Sequence, residues 1–116
     1  HRILTMERVA LVLNIREGQQ EEYARRHREV WPQVLRDMEK AGFRQMNIFI
    51  AGRPLFLYME VDHYAEAVRI LSDCPESVRW EEQMEPIMEN AEGGSYDPAN
   101  PYPVSLPEVF FWRRPD

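Results

Sequence analysis

The sequence holds a single cysteine, Cys74. A lone thiol excludes an internal disulfide framework and any metal site built from several cysteines, and it points to a reducing compartment. No run approaches the roughly 20 apolar residues that a membrane-spanning helix requires. The opening HRILTM lacks the apolar stretch of a secretion signal. An excess of basic residues is missing too: 14 Lys and Arg stand against 20 Asp and Glu, a formal net charge of −6. Phosphate binding needs a basic surface, so nucleic acid is not an expected partner. The expected location is the cytoplasm, with no membrane association. Repeats and low-complexity linkers are absent, so residues 6–116 read as one domain. Met6 looks like the natural start, and His1–Thr5 read as a vector remnant or a disordered tail.

What remains is an ordinary globular balance, 44% apolar and 29% charged over 116 residues, enough to bury a core without staples. Glu7–Ile15, ERVALVLNI, alternates Val9, Leu11, Leu13 and Ile15 on one face and predicts a strand. From Gln19 to Ala41 the period becomes helical, with Tyr23, His27, Val30, Trp31, Val34, Leu35 and Met38 in one stripe, a kink at Pro32 and a stop at Gly42. Arg44–Ala51 and Leu55–Val61 flank the turn GRP and predict a hairpin. Two short helices follow, over His63–Ser72 and after Pro75. Ala91–Pro103 is loop, and EVFFW at Glu108–Trp112 predicts a last strand. With the two middle helices counted as one crossover, the order is the split βαβ pattern of a ferredoxin-like α+β sandwich: a four-stranded antiparallel sheet with helices on one face. The other face carries Phe49 and Phe110 and needs a cover. A homodimer that packs sheet against sheet, a dimeric α/β-barrel-like assembly, supplies one.

Tyr23, His27 and Trp31 drift only about 40° per step of four around a helix and share a face. The plain reading is core packing, yet Tyr and His each bring a polar tip that a dry core must satisfy. Aromatic walls with a few aimed polar groups suit a sugar, whose C–H face packs on rings while its hydroxyls take hydrogen bonds. A histidine there exchanges protons near neutral pH. Trp80, on a later helix, can add another wall. His63 and Arg25 and Arg26 read as surface residues, and Cys74 as a small, partly buried one.

These residues carry a resemblance. EEYARRHREVWPQV resembles the first helix of L-rhamnose mutarotases, close to E-Y-x-x-R-H-x-x-x-W-P; SVRWEEQM is similar to that family's RWW..M segment, and NPYPVSLPEVFFW to its closing one. The similarity runs from Met6 to Trp112. It implies a ferredoxin-like domain that dimerises through its sheets and exchanges the α and β anomers of L-rhamnose with no cofactor and no metal. His27 takes the place of the catalytic acid, Tyr23 that of a substrate-binding tyrosine, and Trp80 that of the first of two paired tryptophans. The second of that pair is Glu81 here, and Met46 stands where a further tyrosine is expected. The altered walls leave L-fucose or another 6-deoxy aldose open as substrate.

Anomer exchange needs one proton delivered to the ring oxygen and one taken from the anomeric hydroxyl. His27 is the expected catalytic residue, and Tyr23, Trp80, Trp31 and Glu81 the expected substrate contacts. The base is open: Glu81 is one option, against the plainer reading of a solvated carboxylate in the run EEQ. Two other classes stay open, a non-catalytic sugar-binding module or sensor and a ferredoxin-like monooxygenase or haem-degrading enzyme.

Overall fold

The structure, a computed structural model of the chain, describes residues 6–103 and 105–116; the expected tail His1–Thr5 lies outside them. Its strands and helices are β1 (Glu7–Ile15), α1 (Gln20–His27), α2 (Pro32–Ala41), β2 (Phe43–Ile50), β3 (Pro54–Val61), α3 (Tyr64–Ser72), α4 (Pro75–Met84) and β4 (Met88–Glu89). A 3-10 turn, Glu85–Ile87, joins α4 to β4. The sheet order is β2-β3-β1-β4, antiparallel throughout. This is the ferredoxin-like arrangement that the order of elements predicts.

Alternation sets the core. Val9, Leu11, Leu13 and Ile15 of β1 are buried, and the register sets Leu11 opposite Leu57 and Val9 opposite Met59 on β3. Val34 and Ala41 from α2, Ala67 and Leu71 from α3, and Trp80 and Met84 from α4 close over that face. On the outer face Val12, Phe56 and Phe49 form a cross-strand row. Phe49 is 61% and Phe56 42% exposed, so the described residues leave an apolar strip uncovered.

Two expectations need correction. The long helix over Gln19–Ala41 is two helices. Pro32 is the first residue of α2, where its missing N–H costs nothing, and it holds Trp31 extended at φ −59° and ψ 131°. Trp31 therefore does not sit on the α1 stripe. The chain leaves α2 through Gly42, at φ 100°, a left-handed turn that also passes so close to Asp62 that a Cβ there would lie 3.3 Å from Oδ2.

The second correction concerns the last strand. Glu108–Trp112 is not a strand, and the fourth strand is the two-residue β4. Leu106 donates one backbone bond to the Ala10 carbonyl on β1, at 2.8 Å. Pro107, next in line, has no N–H to continue a ladder. Arg8 instead ties the segment down by its pair with Glu108, at 2.7 Å, and by stacking its guanidinium 4.0 Å from the Phe111 ring centre. Val109 and Phe110 stay exposed.

Candidate active site

Tyr23 and His27 occupy one face of α1, and the rings stack with centres 4.2 Å apart. His27 Nδ1 lies 3.0 Å from the Tyr23 carbonyl oxygen. A carbonyl only accepts, so Nδ1 carries the proton and donates it. In the neutral ring Nε2 is then a bare lone pair. Burial holds the imidazole below its ordinary value, and the nearby Arg26 adds to this, against the upward pull of the Tyr23 carbonyl.

α4 supplies the next wall. Its Pro75 start follows the extended Cys74, and the helix turns Trp80 inward, where it is 8% exposed. The indole meets the His27 ring edge-on at 5.4 Å. Tyr23, His27, Trp80 and Glu81 all line one cavity of about 240 Å³. Trp31 does not line it. Its ring meets Trp80 edge-on at 5.3 Å, so it braces the wall rather than forming it. Met46 lines the cavity on the β2 side, next to Ile48.

Glu81 takes a place that an acidic run does not announce. It is partly buried, and its Oε1 accepts a short hydrogen bond from the Tyr96 hydroxyl. Burial raises its carboxyl from 4.5 to about 7, against the downward pull of the Tyr96 bond. Tyr96 and Tyr102 were missed by sequence reasoning. Both come from the loop after β4 and line the same cavity. The signal available was the pair of tyrosines among the prolines of SYDPANPYP, but a loop has no period to aim them. Burial and the Glu81 charge push Tyr23, Tyr96 and Tyr102 above the usual phenol range.

The rest of the wall is apolar, with Leu13 and Leu57 from the sheet and Val34 from α2. Among the described residues no three His, Cys, Asp or Glu side chains cluster closely enough to hold a metal ion. Cys74 is buried, and its thiol lies 3.3 Å from the Ile70 carbonyl on α3. His63 is exposed at the start of α3. The arrangement can pack a small ring against an indole, hold hydroxyls with phenols and exchange protons at two titratable groups.

Known proteins share this frame. A family profile described as L-rhamnose mutarotase matches residues 8–111. An L-rhamnose mutarotase of Listeria monocytogenes is 33% identical over 108 residues, covering 91% of this chain and 98% of that protein. One of Bacillus subtilis is 30% identical over 109 residues, with the same coverage of 91% and 98%. A crystal structure of an L-rhamnose mutarotase from Formosa agariphila superposes with a TM-score of 0.73 at 25% identity, covering 92% of this chain and 99% of that one.

Proposed function

Because the chain belongs to the L-rhamnose mutarotase family, we propose that it exchanges the α and β anomers of L-rhamnose, or of a close 6-deoxy relative such as L-fucose, by opening and reclosing the hemiacetal ring. As a family member it is a sugar mutarotase, an isomerase of the aldose 1-epimerase type. The observation that carries the sugar assignment is the convergence of Tyr23, His27 and Trp80 on one small cavity.

The roles follow from chemistry. Trp80 offers a ring for the C–H face of the sugar. The Tyr23 hydroxyl holds a sugar hydroxyl. His27 exchanges a proton with an oxygen at the anomeric centre. Leu13, Leu57 and Ile48 give the cavity an apolar side that suits a C6 methyl better than a hydroxymethyl, since an unpaired hydroxyl there loses its water bonds without replacement. That side supports a 6-deoxy sugar. The reaction moves protons between oxygens and breaks and re-forms one C–O bond with no change of oxidation state, so it requires neither a redox group nor a metal.

The outer row Val12, Phe56 and Phe49 supports a homodimer through the sheet face. Among the described residues no helix is long and apolar enough to cross a membrane. The lone buried thiol of Cys74 supports a cytoplasmic enzyme.

NMR saturation transfer between the α and β anomeric protons tests the reading directly, over a panel of aldoses. L-rhamnose or L-fucose exchange accelerates with the protein and no additive. His27→Ala lowers the rate by about 10²-fold or more, the usual worth of one acid–base group. Tyr23→Phe costs about 0.5–1.5 kcal/mol, one neutral hydrogen bond. A protein that binds one of these sugars and leaves every exchange rate unchanged is a binding module, and the proposal falls.

A further inference from the structure

Ring opening needs a donor as well as an acceptor. The resemblance puts the acid on His27, but its hydrogen bond to the Tyr23 carbonyl makes the neutral ring an acceptor. With Nδ1–H fixed on the Tyr23 carbonyl at 3.0 Å, the neutral ring presents only the Nε2 lone pair. Burial favours that neutral form. The cavity offers two other kinds of titratable group, the three phenols and Glu81. Burial and the Glu81 charge push the phenols above their usual range, so they hold their protons too tightly to give them up.

We infer that Glu81 is the second catalytic residue, protonating the ring oxygen while His27 Nε2 takes the proton of the anomeric hydroxyl. The inference rests on the mutarotase reading and assigns its missing proton donor. Glu81 lines the cavity with His27. One of its oxygens accepts from Tyr96. Among the described residues Tyr96 is its one hydrogen-bond partner. The groups facing it are Tyr23 and His27 from α1, Tyr96 and Tyr102 from the loop, and apolar Val34 and Met38 from α2. Among the described residues no lysine or arginine lines either cavity that Glu81 borders. A carboxyl among phenols and methyls keeps its proton to about pH 7, which suits a general acid working near that pH.

The step balances. The anomeric O–H bond breaks, its proton goes to Nε2, and its electron pair forms the aldehyde C=O. The bond from C1 to the ring oxygen breaks, and that pair takes the Glu81 proton. The result is open-chain aldehyde, imidazolium and carboxylate. After rotation about C1–C2, the carboxylate removes the proton of the 5-hydroxyl as it adds to the other face of C1. Imidazolium then protonates the aldehyde oxygen, and both groups return to their starting forms.

The test is the pH dependence of kcat/KM for L-rhamnose exchange in the wild type, Glu81→Gln and Tyr96→Phe, with circular dichroism confirming the fold. The wild type shows two limbs, an acid-side one from His27 and a basic-side one near the Glu81 value of about 7. Glu81→Gln loses about 10²-fold or more and also its basic limb, so the residual rate rises with pH to a plateau. Tyr96→Phe removes the bond that holds the carboxyl down, so its basic limb moves to higher pH. That shift decides the matter if Glu81→Gln does not fold. A folded Glu81→Gln with wild-type rate and both limbs overturns the inference and leaves the mutarotase reading standing. So does a residual rate that falls as pH rises, since His27 would then be the donor. A wild type that speeds exchange of no aldose removes the mutarotase reading itself.

Discussion

Replacing Glu81 by glutamine tests the burial argument without any substrate. In the fold the Glu81 carboxyl titrates near 7 rather than at 4.5. A group whose folded value is raised stabilises the fold fully below its unfolded value, and that contribution is lost as pH rises through the folded one. The window here runs from about pH 4.5 to a little above 7. At about 1.4 kcal/mol per pH unit, the gap between 4.5 and about 7 bounds the loss at about 3 kcal/mol. Between pH 5 and pH 8, where most of that window lies, the wild type loses about 2 kcal/mol from this group. Glutamine keeps the shape, still accepts from Tyr96 and does not ionise. Glu81→Gln is therefore about 1 kcal/mol more stable than the wild type at pH 5 and about 3 kcal/mol more stable at pH 8, so the gap in urea midpoint between the two proteins widens by about 1 M over that range. His27 titrates in both proteins and cancels in the comparison. Urea unfolding followed by tryptophan fluorescence at the two pH values reads the difference. Stability curves that run parallel from pH 5 to pH 8 would refute the burial of this carboxyl and, with it, its place in the cavity.

Light scattering after size exclusion at micromolar concentration gives a dimer mass, and Phe56→Glu, which sets a charge in the middle of the outer row, converts it to monomer; a monomeric wild type ends the homodimer proposal. Asp37 is buried and accepts from Ser77 at 2.8 Å and Gln33 at 2.9 Å, tying α2 to α4. Asp37→Ala leaves the buried Ser77 hydroxyl without its partner and costs about 1–3 kcal/mol in urea unfolding; a loss below about 0.5 kcal/mol would mean that the link carries nothing.

How much of this was legible in the sequence depends on the range over which each feature is decided. Strand β1 was, because alternation over nine residues sets Val9, Leu11, Leu13 and Ile15 on one face and a slip of one residue would expose them all. Gly42 was, because the helix end needs its positive φ. Pro32 misled: inside a stripe it reads as a kink, but it is equally at home as the first residue of a new helix, and the stripe continues across the break. EVFFW misled because β propensity says nothing about a partner, and Pro107 withholds the N–H that would extend the single bond of Leu106. Strand β4, two residues long, is too short to show any period. In the candidate site, the meeting of Tyr23, His27 and Trp80 around one cavity was legible from helical spacing and resemblance. Tyr96 and Tyr102 were not, because a loop brings them to α4 from 15 or more positions away, and Glu81 kept two readings until that loop was in place.

The two Glu81→Gln experiments also constrain each other. A carboxylate kept for structure loses stability when neutralised, because it was holding a cation or a backbone N–H that then goes unpaired. Glu81 holds neither among the described residues; its contact is a phenol that donates to it. Burial without a cation is a cost that rises with pH, and a fold selected for stability alone would have an uncharged residue there. Residues that weaken a fold in this way persist where they do chemistry. The expected signature is therefore a pair of opposite signs in one variant, stability gained at pH 8 and exchange rate lost. A loss of both at pH 8 would make Glu81 a structural residue whose effect on rate comes from a disturbed wall. A gain of stability with no loss of rate would make it a buried acid with no part in the reaction.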